Sequence, residues 1–400
     1  GTNLPSTSGL FHLTRPRGVR HMKTGAANLP LHTGPAPPWL FRRMCLLAGK
    51  VTEALVYEYG QDEFLRRISD PYWFQAMACT LGFDWHSSGA TTVTTAALKL
   101  ALSPHTHGIA VAGGKGKTSM RTPQDIQEQG ESLGLCPRKV DELVYASKMS
   151  AKVDSALIQD GYQIYHHAFF FTEGGNWAVV QQGMNQANAR RYHWLSDQVK
   201  SFVEEPHSAI CTDRKEECAL DLTARESEEN RHATLDLVKD GPARLAGLSK
   251  QRCLTDFLEP SVRTSGGIVP HIPELSMPRR HGLMPSIDIG KDGMKALQAA
   301  YEIQPQNYEE LLALKGIGPS RIRALSLISE LIYGASPSWK DPARYSFAHG
   351  GKDGTPFPVD RETYDHSISM LKEAIDGAKI DKKEKYDAIK RLRTYAVLEQ

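Results

Sequence analysis

The strongest constraint on the fold is a segment near the C-terminal end that encodes two short helices joined by a glycine turn. Gly316 can end the first helix with a positive φ, and Pro319 fits the first turn of the second helix. Between the two glycines of the turn, Ile317 can point inward as an apolar plug. Apolar residues spaced by three give each helix an apolar side: Leu311 with Leu314, and Leu325 with Ile328. The sequence therefore predicts a helical hairpin over residues 311–334.

The start of the second helix of this hairpin carries the predicted chemistry. The first N–H groups of a helix have no partner within the helix, and they point outward with the positive end of its dipole. A phosphate oxygen can accept these hydrogen bonds, and nearby Lys315, Ser320 and Arg321 can add charge or a further bond. Such contacts hold the backbone of a nucleic acid without reading its bases.

This pattern resembles the helix-hairpin-helix family of DNA-binding elements. The resemblance implies sequence-tolerant DNA binding by the residues of the turn, which are Lys315, Gly316, Ile317, Gly318, Ser320 and Arg321. The alternative interpretation is an ordinary pair of antiparallel helices with a glycine turn, which needs no ligand.

Composition is typical of a globular protein with more than one domain. The 400 residues are 40% hydrophobic and 24% charged, and the net charge of +2 means that any positive surface must be local. The six cysteines form no CxxC pair and no apolar stretch reaches 18 residues, which predicts a reducing, cytoplasmic protein without a transmembrane helix. Residues 1–21 lack the apolar segment of a secretory signal, and we interpret them as an extension or expression remnant before Met22.

The order of the predicted elements indicates an α+β protein that is mostly helical. The clearest strands are residues 162–172 and 177–182, which flank the turn-forming residues 173–176 and predict an antiparallel hairpin in a small sheet. We predict an N-terminal α+β domain with a catalytic role at 22–210 and a charged, helical connector and linker at 211–290. An all-helical DNA-binding module would follow at 291–335, and a helical C-terminal region at 336–400.

A polar cluster after an apolar helix gives the first candidate active-site residues. Asp84 and His86 are two residues apart and could share a metal ion or activate a serine as general base. The alternative is a helix cap, because an Asp or Ser at this place can accept hydrogen bonds from the first N–H groups of the next helix.

The predicted β-hairpin gives the second set of candidates. His167 lies on the first strand and Glu173 follows it, so both could line a site with a divalent metal, Mg²⁺ or Mn²⁺, held by Asp84, His86 and His167. The ExK spacing of restriction-type nucleases is absent, because Gly174 and Gly175 follow Glu173. A hairpin that lines a site without binding metal is the alternative.

The glycine-rich stretch at 113–117 is not a P-loop. The first glycine of that motif would fall on Val111, so we exclude the phosphate cradle of ATP hydrolysis. A loop in which Lys115 and Lys117 contact a nucleic-acid backbone is one interpretation, and a solvated turn is the other. Residues 190–193 interleave arginines with an aromatic residue, which suits either nucleic acid or a solvated helix face.

From Thr24 to about Leu392 the chain resembles the family catalogued as domain of unknown function 763. The stretches that carry the resemblance are residues 25–32, 82–89, 113–117, 160–167, 177–185 and 345–354. The family supplies no mechanism, so it leaves the functional hypotheses open.

Three functional hypotheses compete. The first is a metal-dependent DNA nuclease of repair or recombination, in which the hairpin anchors the DNA and the N-terminal domain hydrolyses it. The second is a non-enzymatic DNA-binding scaffold of repair or replication. The third is a small-molecule enzyme that uses the hairpin for contacts between copies, and a homo-oligomer is open under each of them.

Overall fold

The structure, a computed structural model, describes residues 38–82, 88–185, 188–212, 215–242, 290–343 and 361–397. The predicted extension at 1–21, Asp84 and His86, and more than half of the predicted connector lie outside the described residues. In the described segments, no helix combines the length and the apolar character needed to cross a lipid bilayer.

Helices make up the larger part of the described chain. Asp70 shows why one of them begins where it does: its carboxylate accepts hydrogen bonds from the backbone N–H groups of Tyr72 and Trp73 at 2.8 and 3.0 Å. The helices are α1 (Pro38–Tyr59), α2 (Gln61–Ile68), α3 (Pro71–Leu81), α4 (Ser88–Ala101), α5 (Pro104–His107), α6 (Thr122–Ser132), α7 (Pro137–Ala156), α8 (Glu228–Lys239), α9 (Gly290–Ile303), α10 (Tyr308–Ala313), α11 (Pro319–Tyr333), α12 (Arg361–Gly377) and α13 (Lys382–Val397).

A five-stranded antiparallel sheet lies at the centre, with the strand order β1-β3-β4-β5-β6. A separate pair, β2 with β7, is also antiparallel. The strands are β1 (Ile109–Lys115), β2 (Ile158–Gln159), β3 (Gln163–Thr172), β4 (Trp177–Met184), β5 (Ala189–Leu195), β6 (Ala209–Thr212) and β7 (Leu220–Asp221).

The sheet separates two hydrophobic cores, because successive side chains of a strand point to opposite faces. On the first face, residues such as Phe170 and Val180 pack with α1–α4, α12 and α13. On the second face, residues such as Phe169, Val179 and Trp194 pack with α6–α11. The described part of the molecule is therefore a layer of helices, a sheet and a second layer of helices.

The predicted α+β, mostly helical class is confirmed, and so is the β-hairpin of β3 and β4. One local prediction is wrong: Lys115 is the last residue of β1 rather than part of a loop, and a 3₁₀ helix at Gly116–Arg121 follows it. A second is also wrong, because residues 190–193 belong to the buried strand β5 and not to a solvated helix face.

The helices of the predicted DNA-binding module do not stand apart from the rest of the chain. Leu311 and Ile322 belong to the same core as Phe169 of β3 and Leu237 of α8. Segments assigned from sequence to three different regions therefore share one core.

Candidate functional site

The hairpin, residues 308–333, consists of α10, a turn at residues 314–318 and α11. Ile317 lies at the centre of the turn and is 1% exposed, because its side chain points back into the second core. Its backbone N–H donates to the carbonyl of Leu314 at 3.4 Å. The isoleucine thus fixes the turn from the inside and leaves the backbone of its two glycine neighbours on the outside.

The outer side of the turn is open to solvent. A Cβ built on Gly318 would meet no atom within 4 Å, and its φ of −125° suits any residue. Gly316 differs, because it has a φ of +88° and a Cβ there would lie 2.9 Å from the Cβ of Ala296. The exposed residues around the turn are Lys315, Gly316, Pro319 and Ser320.

Helix α11 begins without a side-chain cap. Gly318 occupies the N-cap position, and no group of the described residues accepts a hydrogen bond from the backbone N–H of Gly318, Ser320 or Arg321. The N-terminus of α10 is different, since the Asn307 side chain there accepts from the N–H of Glu310 at 2.8 Å. Helix α11 therefore presents unsatisfied donors and the positive end of its dipole at the surface.

The charged groups near the turn add to this positive potential. Lys315 is exposed and Arg321 is partly exposed, and neither has an ion-pair partner among the described residues. The two acids of α10 are engaged elsewhere: Glu309 accepts from the Tyr145 hydroxyl at 2.6 Å, and Glu310 accepts from Asn307 at 3.0 Å. An anion would meet cations and amide donors at the turn.

Helix α7 and the residues that follow it hold the hairpin against the sheet. The Lys152 ammonium donates to the carbonyl of Leu314 at 2.8 Å, and the Gln159 amide donates to the carbonyl of Pro319 at 2.9 Å. Burial and the hydrogen bond to Glu309 raise the pKa of Tyr145, so its hydroxyl remains a neutral donor. The sequence does not reveal these contacts, because the partners lie more than 150 residues apart and nothing local marks them.

His167, predicted to be catalytic, is buried in β3 with both ring nitrogens engaged. Nδ1 lies 2.8 Å from Oε1 of Gln181, and Nε2 lies 2.9 Å from the Ser147 hydroxyl. Because the Gln181 amide nitrogen donates to the Ser150 carbonyl, its oxygen accepts from Nδ1–H. Nε2 is then the unprotonated nitrogen and accepts from Ser147, so His167 has no nitrogen left for a metal ion.

The hydrogen bonds of His167 continue through the second core. The Gln181 amide also contacts one oxygen of Asp154, and the other oxygen contacts His207. Asp154 further accepts from the Trp194 indole at 3.1 Å. The serine, histidine and amide stand in the order of a nucleophilic triad. However, Ser147 is only 3% exposed, so the network joins α7 to the sheet and offers no surface to a substrate.

A second polar row crosses the other face of the sheet. The strand register aligns Lys115, His166, Gln182, Arg191 and Cys211 across β1, β3, β4, β5 and β6. The Thr95 hydroxyl donates to the Thr91 carbonyl at 2.9 Å, so it accepts from Nε2–H of His166, also at 2.9 Å.

The remaining ring nitrogen of His166, Nδ1, is buried and has no hydrogen-bond partner in the described part of the chain. Burial lowers the pKa of His166 to about 3, with smaller contributions from His167 and Lys115. The imidazole is therefore neutral at physiological pH and keeps an unused lone pair on Nδ1.

The structure does not bring His167 and Glu173 together. Glu173 follows Thr172, the far end of β3, which lies about 17 Å along the strand from His167 at the usual rise per residue. There its carboxylate accepts a hydrogen bond from the Gln61 amide at 3.1 Å. His167 therefore lies in the middle of β3 whereas Glu173 lies beyond its end, and Asp84 and His86 lie outside the described residues.

The glycine-rich end of β1 presents the two predicted basic contacts. The Lys115 ammonium lies 5.8 Å from the centre of the Tyr165 ring, and Lys117 is exposed in the 3₁₀ helix. Gly113 is required here, because a Cβ would lie 2.3 Å from the His167 carbonyl oxygen. Lys115 is the end of the polar row and Lys117 follows it in the 3₁₀ helix, so the two lysines do not form a phosphate loop.

The described residues alone do not fit a metal centre. They contain no group of three or more His, Cys, Asp or Glu side chains that could hold an ion. Of the three predicted metal ligands, only His167 is described, and both of its nitrogens are occupied.

Comparison with known proteins identifies the family of the chain. The model of a family described as protein of unknown function (DUF763) matches residues 25–359, which is more than half of the chain. No curated protein and no solved structure gives a match. By this match, the chain belongs to the DUF763 family.

Proposed function

We propose that this protein binds DNA without sequence preference, through the turn at 314–318 and the first turn of α11. The observation that carries the proposal is the uncapped N-terminus of α11 beside an exposed glycine turn whose central isoleucine is buried. The N–H groups of Gly318, Ser320 and Arg321 would donate to one phosphate group. Lys315 and Arg321 would contribute positive charge to the same contact.

This geometry supports backbone binding rather than base recognition. Phosphate oxygens accept backbone N–H groups at helix N-termini, whereas base edges are read by long side chains in a groove. Each phosphate that a protein neutralises makes the slope of log affinity against log salt more negative by about 0.9. We therefore expect binding that weakens steeply with salt and differs little between DNA sequences.

A charge substitution at Gly318 tests the proposal without disturbing the fold. Gly318→Glu places a carboxylate at the proposed phosphate site, and Gly318→Gln is the matched neutral control; the structure has room for either side chain. We expect roughly tenfold weaker binding of a fluorescent duplex by the Glu variant at low salt, and a much smaller change for the Gln variant. Equal affinities of the wild-type protein and the Glu variant would contradict the proposal, as would a wild-type protein that binds no DNA.

A DNA nuclease is the second candidate, and the polar row of the sheet favours it. The guanidinium of Arg191 donates to the Thr91 hydroxyl at 3.4 Å. Thr91 lies in α4, the helix that follows Asp84 and His86 in the chain. Within this row, Lys115 is exposed and would suit an anionic phosphodiester, whereas Arg191 is buried and would hold the row in place. In this proposal, Asp84, His86 and a bound Mg²⁺ or Mn²⁺ ion would supply the hydrolytic chemistry of a repair or recombination enzyme.

Cleavage assays separate the nuclease from a DNA-binding scaffold. Purified protein is incubated with single-stranded and duplex DNA in Mg²⁺, Mn²⁺ or EDTA, and Asp84→Ala serves as the matched variant. Metal-dependent cleavage that the variant loses would support the nuclease. DNA that is bound but remains intact with every metal would support the non-enzymatic DNA-binding scaffold instead.

A further inference from the structure

We infer that Lys152 and Gln159 are positioning residues for DNA binding, because they hold the two ends of the turn that faces the phosphate. This inference rests on the proposed function. Lys152 donates to the carbonyl of Leu314, the residue after α10, and Gln159 donates to the carbonyl of Pro319, the first residue of α11. The two bonds lie on either side of the Gly316-Ile317-Gly318 sequence and limit how its backbone can move.

Lys152 is suited to this role by its charge and its burial. Carbonyl groups at the C-terminal end of a helix carry the negative end of the dipole, which an ammonium group stabilises. Burial lowers the pKa of Lys152, and its nitrogen lies 2.8 Å from the carbonyl oxygen of Leu314. The side chain thus anchors the turn from beneath.

Gln159 completes the clamp from the other side. Its amide nitrogen donates to the carbonyl of Ala156 at the end of α7 as well as to Pro319, both at 2.9 Å. One amide group therefore ties the end of α7 to the start of α11.

The clamp is attached to the rigid part of the molecule. Ser147 and Asp154 of α7 contact His167 and Gln181 of the sheet, while Lys152 of the same helix contacts the hairpin. One side of α7 is therefore bonded to β3 and β4, and another side is bonded to the turn. A turn held in this way keeps the N–H groups of α11 in one direction before DNA arrives.

Preorganisation explains why these residues should affect affinity without touching DNA. Glycine has the largest conformational freedom of any residue, so an unclamped turn with two glycines would lose more entropy when it binds. A contact that fixes the turn in advance removes part of this cost. Removal of such a contact should weaken DNA affinity and increase local backbone motion, but it should not change the number of phosphates neutralised.

Lys152→Met tests the clamp, because methionine keeps most of the side-chain volume and removes the ammonium. Lys372→Met is the matched control, since Lys372 is exposed on α12, which packs on the other face of the sheet. We expect roughly five- to tenfold weaker binding of a fluorescent duplex by Lys152→Met. We also expect an unchanged salt slope and faster amide hydrogen exchange at residues 316–321. Lys372→Met should match the wild-type protein, and Lys152→Arg should restore most of the affinity.

Several results would overturn the inference. Wild-type affinity in Lys152→Met would remove the positioning role. A salt slope that becomes shallower by about one in this variant would show a direct phosphate contact instead. If Lys152→Met does not fold, Gln159→Leu gives the same test from the other end of the turn. Loss of binding in Gly318→Glu together with full binding in Lys152→Met and Gln159→Leu would reject the clamp and keep the proposed function.

Discussion

Buried polar side chains give the sheet its chemical character at the scale of single residues. Arg190 is fully buried, and its guanidinium donates to Asp160 at 2.6 Å and to Asp341 at 2.7 Å. Burial alone would lower the pKa of Arg190, but these two carboxylates raise it, so the cation is retained. Among the described residues, no carboxylate pairs with His166 or His193 in this way, and burial lowers the pKa of both.

The neutral state of His166 predicts a loss of stability in acid. Its pKa is about 3 in the folded protein against an ordinary 6.5, so the unfolded chain binds more protons between these values. The free energy of unfolding should therefore have its full value above pH 6.5 and fall as the pH is lowered below it. Well between the two pKa values, His166 should lower the free energy of unfolding by about 1.4 kcal/mol for each pH unit of acidification.

Urea unfolding at pH 7, 6 and 5 measures this effect. His166→Asn should show a shallower pH dependence than the wild-type protein, whereas His232→Asn should not, because the His232 side chain is 71% exposed. If the free energy of unfolding changes with pH by the same amount in the wild-type protein and in His166→Asn, the assignment of a neutral buried histidine is wrong.

The sequence indicates some of these residues by type but not by environment. His167 is a candidate from the sequence, yet strand alternation sends it and its neighbour His166 to opposite faces with different partners. The interleaving of Arg190 and Arg191 with an aromatic residue suits nucleic acid or a solvated helix face, whereas both arginines are buried in the structure. The carboxylate of Asp341 that makes burial of Arg190 tolerable lies 151 residues further along the chain.

At the scale of elements, the hairpin shows how a local pattern can determine a structure. The glycines, the proline and the leucine spacing predict two helices and a turn, and α10 and α11 form that hairpin. The end of the first helix differs, because α10 ends at Ala313 and Leu314 belongs to the turn. Strand β5 shows the opposite case. All of its residues are buried, so it has no alternation of polar and apolar residues for a sequence pattern to reveal.

Truncation of the plug tests the hairpin as an element. Ile317→Ala should lower the free energy of unfolding by about 2–5 kcal/mol, because the side chain is buried in the second core and leaves a cavity. Leu331→Ala on α11 is the control, since Leu331 is 65% exposed and its loss should change stability by no more than about 0.5 kcal/mol. Similar unfolding curves for the two variants would contradict the buried position of the plug.

At the scale of the whole molecule, the hairpin, α8 and the sheet form one core rather than separate modules. Helices α12 and α13 close the other core against α1 and α3, so residues from both ends of the described chain meet there. Local sequence could not reveal either arrangement, because periodicity shows that a helix has an apolar side but not which distant residues cover it.

A shared core predicts that the hairpin cannot fold alone. A peptide of residues 290–343 should lack stable helices in circular dichroism and dispersed amide signals in NMR, since its apolar side is covered by the sheet and α8 in the full chain. The full chain should retain DNA affinity that the peptide lacks. A peptide with helix content near that of the same residues in the full chain would show that the hairpin is an independent domain.

Strand β4 serves both cores, and this makes its length a fixed quantity. Val179 and Gln181 face one core, while Ala178 and Val180 face the other, and each has its own partner in β3 and β5. One extra amino acid inserted near the start of this strand would turn every following side chain to the opposite face of the sheet. Gln181 would then face the core that Gln182 faces now, and Gln182 would face the other core. Loops on the surface can take up an inserted residue, but the middle of this sheet has no such freedom.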